Sequence, residues 1–422
     1  MNILITSVAN KINLIKYFRR ALFNEGGGSI FGVDSQVLVK SRLFLDGFEV
    51  SPSSDSADYL SWIKAFVKTH KIALIIPSRD GELLALSTIK QCLKDDYACH
   101  VMVSKSSALN VCLDKELFSI WCQHNGFNTA KTYQPDDVTK KHLPVFVKPK
   151  QASGSKNTLA IKDWASWCSL RESLDSSYLV QDYIDAPEYS VDIFIDEKGS
   201  VCSVVPRLRE LTQQGESVCG RVCLDRDIIE YTTRLVTTLG LLGQITVQVF
   251  KPDGVADNSL NTPIIVSEVN ARFGGGFTLS VEAGADTPRY LVQQQLGKPI
   301  SHLDTVLQNG LRMLRIQKDI IFNDKAIRTY CIDLDGTLCT ECCTYQEAKP
   351  MAHMVAKINA LYAAGNNIVI ATARGAASGK CWRELTEQQL KLWGVNYHSL
   401  IMGKPYADYY IDNKAVDVLE FL

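Results

Sequence analysis

Short apolar runs and one helical repeat alternate along the first hundred residues. Residues 12–22 place apolar side chains at intervals of three and four, which predicts an amphipathic helix. The apolar runs predict strands, and they lie at residues 3–6, 29–33, 71–77 and 100–103. Strands that alternate with helices are typical of a parallel, doubly wound sheet. The N-terminal part is therefore predicted to be Rossmann-like.

The middle of the chain changes from a helical to a strand-rich pattern. Residues 104–135 are predicted to be helical, and residues 145–311 are rich in short alternating strands. Turn residues between these strands predict two antiparallel pairs. The pairs are 189–196 with 200–205, and 244–250 with 264–269.

A second α/β pattern begins after a polar stretch at residues 317–325. Apolar strands are predicted at 330–334, 399–402 and 409–411, with a further strand in NIVIATA and helices between them. The chain is therefore predicted to be an α/β and α+β multidomain protein.

Composition and charge exclude several classes of protein. The 422 residues are 46% hydrophobic, and 45 basic residues balance 46 acidic ones, which gives a net charge of -1. This balance gives no reason to expect nucleic acid or an anionic membrane as a partner. No apolar run reaches the length of about 18 residues that a spanning helix needs. The N-terminus is apolar first and basic later, the reverse of a secretory signal, so we expect a cytoplasmic protein.

The thirteen cysteines are an odd number scattered through a large chain. This usage predicts reduced thiols rather than a disulfide framework. One cluster, Cys339, Cys342 and Cys343, has no second pair at zinc-site spacing. We interpret it as an incidental loop cluster.

Polar side chains follow the strands of the C-terminal segment. Asp333 and Asp335 end the first strand, where open α/β sheets bind ligands, and two such carboxylates can share Mg²⁺. Thr372 and Arg374 end the second strand, and their hydroxyl and guanidinium can hold phosphate oxygens. Lys404 offers a cation. The ordered series predicts a phosphate-handling site.

This series resembles the haloacid dehalogenase-like (HAD) phosphohydrolases, and DLDGTLC, TARG and MGKPYADYYIDNKA look like the small capsule-biosynthesis-type phosphatases. The resemblance implies Asp333 as nucleophile, Asp335 as general acid/base, Thr372 and Lys404 as phosphate holders, and Asp333, Asp335 and Asp412 around the metal. Relatives usually have a second acidic residue where this chain has Asn413. The motif spacing leaves no room for a cap domain, so the domain is expected to be a capless HAD-like Rossmannoid. Its site is expected to be open, or to be closed by the ligase domain or another subunit.

A second set of motifs precedes this segment. Lys148 follows an apolar strand, and the small residues at 153–156 can let the backbone approach phosphates. Glu268, Asn270 and Arg272 alternate along one strand and therefore share a face. The first two can present oxygens to one metal, joined by Gln248 if the strands pair.

These pieces, in this order, resemble the ATP-grasp fold, and residues 1 to about 310 look like its carbamoyl-phosphate-synthase-like branch. The resemblance implies ATP and Mg²⁺ as cofactors, with Mn²⁺ as an alternative metal. It implies ATP contacts by Lys115, Lys148, Ser155, Gln181, Asp182, Tyr183, Ile184 and Glu188. It implies metal binding by Gln248, Glu268 and Asn270, and stabilisation of an acyl-phosphate by Arg272. Arg207 and Arg209 lie where relatives place a basic residue near phosphate or substrate.

The favoured interpretation is a bifunctional enzyme: a carboxylate–amine ligase and a Mg²⁺-dependent phosphomonoester phosphatase, in surface polysaccharide or specialised metabolite biosynthesis. Its expected domains are a pre-ATP-grasp Rossmann-like domain at 1–103, an ATP-grasp domain at 104–320 and the phosphatase at 326–422. Expected partners are small carboxylate, amine and phosphoester substrates, and homo-oligomerisation is left open. Two alternatives are a ligase with a regulatory or assembly module at its C-terminus, and a nucleotide-dependent binding protein.

Overall fold

The computed structural model describes the chain except for residues 152–156, 214, 253–262, 301–305, 317–327, 408–409, 411–414 and 417–422. The chain divides into two compact units. The larger comprises Asn2–Asn13 and Phe31–Gln317, and the smaller comprises Met1, Leu14–Ile30 and Lys318–Leu422.

A five-stranded sheet lies in the N-terminal part of the chain. Its strands are β1 (Asn2–Thr6), β2 (Ser29–Asp34), β3 (Gly47–Val50), β4 (Ile72–Ile76) and β5 (His100–Val101), in the order β3-β2-β1-β4-β5. The pairs β2–β3, β1–β4 and β4–β5 are parallel, as the alternation of strands and helices predicts, although β3 lies in none of the predicted strands. The helices are α1 (Ile12–Asn24), α2 (Tyr59–His70) and α3 (Asp80–Tyr97). Because β1 and β4 are parallel neighbours, the residues that follow them emerge at the same edge.

The predicted helical region at residues 104–135 is broken into two helices, α4 (Ser106–Leu113) and α5 (Lys115–His124). Asp114 separates them because its carboxylate caps α5, accepting from the N–H groups of Glu116 at 2.9 Å and Leu117 at 3.1 Å. After α5 the chain becomes extended, so the prediction of helix to residue 135 is wrong.

A small four-stranded sheet follows. Its strands are β6 (Thr132–Tyr133), β7 (Val145–Pro149), β8 (Leu159–Ile161) and β9 (Tyr178–Asp182), in the order β6-β9-β7-β8 with antiparallel pairing. Helix α6 (Trp164–Arg171) contributes the fully buried Trp167 to the core of this sheet. Burial of a side chain of this size is a large apolar contribution to stability.

A six-stranded antiparallel sheet forms the largest layer. Its strands are β10 (Glu188–Ile195), β11 (Val201–Gln213), β12 (Glu216–Val222), β13 (Gly243–Phe250), β14 (Ile265–Asn270) and β15 (Arg312–Leu314), in the order β14-β13-β10-β11-β12-β15. The accompanying helices are α7 (Arg226–Leu239), α8 (Phe277–Glu282) and α9 (Thr287–Gln295). Both predicted strand pairs are confirmed, and the register sets Gln248 opposite Glu268.

The C-terminal part contains a parallel three-stranded sheet. Its strands are β16 (Thr329–Ile332), β17 (Asn367–Thr372) and β18 (Ser399–Met402), in that order, and its helices are α10 (Ala352–Ala363) and α11 (Arg383–Leu392). Ile332, Ile370 and Ile358 are buried in its core. The strand predicted at 409–411 lies outside the described residues.

The described parts of the chain contain neither a membrane-spanning helix nor a cluster of metal-binding His, Cys, Asp or Glu side chains. No helix there combines the length and apolarity that a bilayer crossing demands. No group of three or more His, Cys, Asp or Glu side chains there could hold a metal ion. All thirteen cysteines carry free thiols.

Candidate functional site

A cleft of about 620 Å³ lies between the small antiparallel sheet and the large one. Its walls come from β7 and β9 on one side and from β10, β13 and β14 on the other, with the start of α5 beside them. It brings together nine residues that the sequence predicted to bind nucleotide or metal. These are Lys115, Lys148, Gln181, Asp182, Tyr183, Ile184, Glu188, Gln248 and Glu268.

Two lysines give one part of the cleft a positive charge. Lys148 lies on β7 with only 7% of its surface exposed. Burial lowers the pKa of Lys148 to about 8, and the carboxylate of Glu268 opposes this shift. Lys115 begins α5, and its Nζ lies 3.9 Å from Glu268 Oε2. A buried lysine with a lowered pKa is poised to gain a proton when an anion binds.

We expect ADP binding to take up protons through Lys148. With a pKa of about 8 in the free chain, Lys148 is mostly protonated at pH 7, half protonated at pH 8 and mostly neutral at pH 9. A bound phosphate favours the charged form, so uptake should rise from about 0.1 proton at pH 7 to about 0.5 at pH 8 and about 0.9 at pH 9. Titration calorimetry in buffers of different ionisation enthalpy measures this. Lys148→Met should abolish the rise, and an equal rise in that variant would contradict the assignment.

Three oxygen-bearing side chains cluster on β13 and β14. Asn270 Nδ2 donates to Glu268 Oε1 at 2.9 Å. The Gln248 amide is oriented so that its nitrogen faces an acceptor and its oxygen faces a donor. In this orientation it donates to Glu268 Oε1 at 2.6 Å and accepts from Arg209 Nη1 at 2.9 Å. The cluster holds a single carboxylate, and the amides add the further oxygens that a hard cation takes.

An ion pair spans β10 and β11 beside this cluster. Arg209 Nη1 lies 2.5 Å from Glu188 Oε1, and its Nη2 donates to the Gly215 carbonyl at 2.7 Å. Burial raises the pKa of the Glu188 carboxyl, and Arg209 opposes the shift. One oxygen of Glu188 is thus engaged, and the pair is fixed in the cleft wall.

The segment that follows β9 forms the opposite wall. The buried Gln181 side chain donates to the Thr132 hydroxyl at 3.3 Å, and Asp182 accepts from the Tyr133 hydroxyl at 2.6 Å. The Ile184 N–H has no hydrogen-bond partner among the described residues. A main-chain donor in this position can bind a planar, hydrogen-bonding ligand.

Arg272 lies outside the large cleft, in an adjoining pocket. Its Nε and Nη2 form a bidentate pair with Asp80 at 2.8 and 2.6 Å, and Nη2 also donates to Asn270 Oδ1 at 3.1 Å. Asp80 and its neighbour in this pocket, Lys11, were not predicted from the sequence to belong to the site. Both residues could have been predicted as site residues from their positions just after β4 and β1, because neighbouring parallel strands end at the same edge of a sheet.

A second cluster lies at the carboxyl ends of β16 and β17. Lys404 Nζ is 3.2 Å from Asp333 Oδ1, and the Lys404 N–H donates to the Thr372 carbonyl at 3.1 Å. Asp335 follows two residues after Asp333. The structure therefore brings together Asp333, Thr372 and Lys404 of the predicted C-terminal site.

Arg374 does not hold the position expected from the sequence. Its guanidinium is fully buried and engages Asp335, with Nε–Oδ2 at 2.8 Å and Nη2–Oδ1 at 2.6 Å. Nη1 donates to Gln389 Oε1 at 2.6 Å, and the group lies over the Tyr345 ring. The expectation that Arg374 holds phosphate oxygens is therefore not met, because its donors are used to fix Asp335.

Two predicted site positions lie outside the described residues. One is Ser155 with the rest of the small-residue segment 153–156, and the other is Asp412 with its neighbour Asn413. Their predicted roles at phosphate and metal stay predictions.

Two family models match parts of the chain. Residues 175–318 match a family described as ATP-grasp in the biosynthetic pathway with Ter operon, and residues 3–99 match the PylC-like N-terminal domain. Both matches end before residue 319. None of the curated proteins matches the chain.

Several solved structures share the fold. The biotin carboxylase–β-γ-ATP complex from Campylobacter jejuni is 15% identical with a TM-score of 0.55, covering 72% of this chain and 73% of that one. N5-carboxyaminoimidazole synthetase from Staphylococcus aureus with ADP is 13% identical with a TM-score of 0.56, covering 71% and 78%. An L-amino acid ligase from Bacillus licheniformis is 15% identical with a TM-score of 0.54, covering 71% and 75%. At such identities the likeness shows the fold, which is mixed α/β and of the ATP-grasp type.

Proposed function

We propose that this chain, whose fold is of the ATP-grasp type, is an ATP-dependent carboxylate–amine ligase that acts through an acyl-phosphate. One observation carries the proposal: the cleft of about 620 Å³ presents two lysines, a carboxylate–amide cluster and a main-chain N–H donor to a single cavity. These are the groups that a nucleotide needs for its phosphates, its metal and its base. The solved relatives that carry ATP or ADP support the same ligand.

Each wall of the cleft has a part in this proposal. Lys115 and Lys148 bind the phosphates, and the adenine lies against residues 181–184, where the Ile184 N–H is a donor to the ring. Glu188 binds the ribose through the carboxylate oxygen that Arg209 leaves open. This arrangement places the terminal phosphate toward Gln248 and Glu268.

Mg²⁺ fits the cluster on β13 and β14. Glu268 is the single carboxylate of this group, and the amide oxygens of Gln248 and Asn270, which accept from Arg209 and Arg272, would turn to the cation when it binds. Mg²⁺ is commonly held by one or two carboxylates together with substrate phosphates, and Mn²⁺ accepts the same oxygen ligands. When bound, the cation would neutralise charge on the phosphoryl group.

The proposed reaction has two steps. An oxygen of the substrate carboxylate attacks the γ-phosphorus of ATP, the bond from phosphorus to the bridging oxygen breaks, and ADP leaves. The amine nitrogen then attacks the acyl carbon, the carbon–oxygen bond to phosphate breaks, and phosphate leaves as the nitrogen loses a proton. Arg272 lies beside Asn270, and four of its five N–H groups bond to Asp80, Asn270 and the Phe273 carbonyl, so the remaining N–H on Nη1 can hold an oxygen of the acyl-phosphate.

Product analysis tests this proposal. The full chain is incubated with ATP, Mg²⁺ and mixtures of carboxylic acids and amines, and products are identified by mass. The proposal expects ADP and a condensed product that depend on both acid and amine. Formation of AMP and pyrophosphate, or ATP cleavage that ignores the acid, would refute it; a chain that binds ATP without cleaving it would favour a binding protein.

We also propose that the C-terminal part is a HAD-like, capless phosphomonoesterase. Asp333, beside Lys404, supports it as the nucleophile. Its carboxylate oxygen attacks phosphorus, the ester oxygen leaves and takes a proton from Asp335, and water then hydrolyses the aspartyl-phosphate. The Asp333 carboxylate would hold Mg²⁺, and Thr372 and Lys404 hold the phosphate. Asp335, which Arg374 orients through both of its oxygens, acts in its protonated form as the acid and is not counted among the metal ligands. The competing proposal is that the C-terminal part is a regulatory or assembly module, in which case it would not hydrolyse phosphomonoesters.

The proposed domain division follows the two activities. The Rossmann-like domain comprises residues 1–103, the ATP-grasp domain 104–320 and the phosphatase domain 326–422. The first two supply the ligase site together, because Asp80 and Lys11 of the first face Arg272 of the second in one pocket.

A further inference from the structure

A second cavity of about 240 Å³ opens beside the nucleotide cleft. The two cavities share Arg209, Gly215, Gln248 and Glu268 on their walls. From this shared wall the second cavity extends to Lys11, Asp80 and Arg272. A molecule bound there would lie against the metal-binding cluster of the proposed ligase, which is where the acid substrate must meet the γ-phosphoryl group.

Most charges on the wall of this second cavity are already neutralised. Each of three arginines and one glutamate has an oppositely charged partner. The pairs are Arg272 with Asp80, Arg207 with Asp192, Arg209 with Glu188, and Glu216 with Arg315. The position of Arg207 is fixed further because its partner Asp192 also accepts hydrogen bonds from the Thr246 and Ser280 hydroxyls, at 2.9 and 2.7 Å. These groups shape the cavity and leave little net charge in it.

Lys11 differs from these groups. Among the described residues its ammonium makes no hydrogen bond and no ion pair, although its main-chain N–H donates to the Val8 carbonyl at 3.0 Å. Burial lowers the pKa of its ammonium and Arg272 lowers it further, while Glu216 and Asp80 act in the opposite direction. An ammonium taken largely out of water without a partner destabilises the folded chain. Such a group is retained at a binding site when a ligand supplies the missing charge.

A second cation stands at the mouth of the cavity. Arg79 is exposed, and its Nη2 donates to the Ser54 hydroxyl at 2.5 Å. No acidic side chain among the described residues pairs with it. Lys11 and Arg79 are therefore the two wall cations without an acidic partner, and they lie toward the N-terminal domain, whereas Glu268 lies toward the nucleotide.

We infer that the second cavity binds a carboxylic acid that carries a second negative group, with Lys11 as the residue that recognises this group. The inference rests on the proposed ligase function and names its acid substrate class. The reacting carboxylate lies toward Arg272 and the nucleotide, and the second group, a carboxylate or a phosphate, pairs with Lys11. Dicarboxylic acids, acidic amino acids and phosphorylated hydroxy acids belong to this class.

Matched pairs of acids test the inference. ADP release by the full chain is measured with glutamate against glutamine, aspartate against asparagine, and 3-phosphoglycerate against glycerate. We expect kcat/KM to be at least about tenfold higher for the doubly charged member of a pair, since a charge-assisted hydrogen bond is lost in the neutral one. The glutamate and aspartate pairs test a carboxylate as the second negative group, and the 3-phosphoglycerate pair tests a phosphate. Equal or better use of the neutral members would overturn the inference while leaving the ligase proposal intact.

Substitution of Lys11 distinguishes a role in recognising the second negative group of the acid from a role in the stability of the fold. In Lys11→Met the ratio of kcat/KM between charged and neutral acids should fall toward one, mainly through KM, and Lys11→Arg should restore part of it. The thermal midpoint of Lys11→Met should equal or exceed that of the parent, because a poorly solvated charge is removed. The control is Lys68→Met, a change of an exposed lysine in the same domain. A ratio unchanged in Lys11→Met would refute the role of Lys11.

Thermal unfolding of the ADP·Mg²⁺-loaded chain gives a readout that needs no turnover. Glutarate and 3-phosphoglycerate are the probes, and butyrate and glycerate are their neutral counterparts. At least one charged probe should raise the midpoint of the parent chain and not that of Lys11→Met. If ADP stabilises the chain but neither charged probe does, the inference fails. If no acid supports ADP release although a charged probe binds, the ligase proposal fails instead.

Discussion

Replacing Glu268 by glutamine is expected to lower kcat for acid-dependent ADP formation by at least about a hundredfold. Glu268 is the single carboxylate of the cluster with Gln248 and Asn270, and it lies 3.9 Å from Lys115. In the proposal its negative charge attracts the cation to this wall, and an isosteric amide removes the charge while keeping the packing. A coupled assay for ADP at saturating ATP, over a range of Mg²⁺ concentrations, measures the change.

The control for Glu268→Gln is Glu230→Gln. Glu230 is an exposed glutamate whose ion pair, among the residues that the structure describes, is with Arg226 on the same helix. Its substitution should leave kcat within about twofold because exposed pairs contribute little. The thermal midpoint of Glu268→Gln should stay close to that of the parent. A kcat within threefold of the parent at every Mg²⁺ concentration would remove Glu268 from the proposed metal site.

Replacing Asp333 by asparagine is expected to abolish phosphatase activity, lowering kcat by at least about a thousandfold, because the amide cannot act as the nucleophile. Ligase activity should stay within about twofold of the parent, since the proposal gives Asp333 no part in the ligase reaction. Hydrolysis of a panel of sugar, polyol and polymer phosphates measures the first effect, and ADP formation on the same preparation measures the second.

Glu387→Gln serves as the control in the same part of the chain. Glu387 is exposed and pairs with Arg383 within α11, so its loss should not affect phosphatase activity. If the parent chain hydrolyses none of the phosphoesters in the panel, the C-terminal part is better described as a regulatory or assembly module. If Asp333→Asn retains hydrolysis, the nucleophile lies elsewhere.

Local patterns predicted the sheets and most of the cleft well. The antiparallel pairing of β10 with β11 and of β13 with β14 could be predicted, because side-chain alternation and turn residues are encoded within a few positions. The same alternation put Glu268 and Asn270 on one face, and pairing of β13 with β14 then set Gln248 beside Glu268. The relative positions of residues that lie close together on one strand can be predicted without knowing how distant segments pack.

Contacts between distant segments could not be predicted. Asp80 pairs with Arg272 across 192 positions, and Arg374 pairs with Asp335 across 39. Nothing in the local sequence of either arginine indicates a carboxylate partner, because both contacts depend on how separate elements pack. The break between α4 and α5 has a local cause instead. Asp114 caps the second helix, and this capping preference competes with a surrounding pattern that is otherwise helical.

Transfer of isotopic oxygen from acid to phosphate tests the central claim most directly. The full chain is incubated with ATP, Mg²⁺, an amine mixture and acids labelled with ¹⁸O in the carboxylate, among them glutamate, aspartate and 3-phosphoglycerate. An acyl-phosphate leaves one acid oxygen on phosphorus when the amine displaces it, so the account predicts ADP and phosphate that carries one ¹⁸O atom. Phosphate that takes its new oxygen from water alone, with the label retained in the acid, would contradict the account.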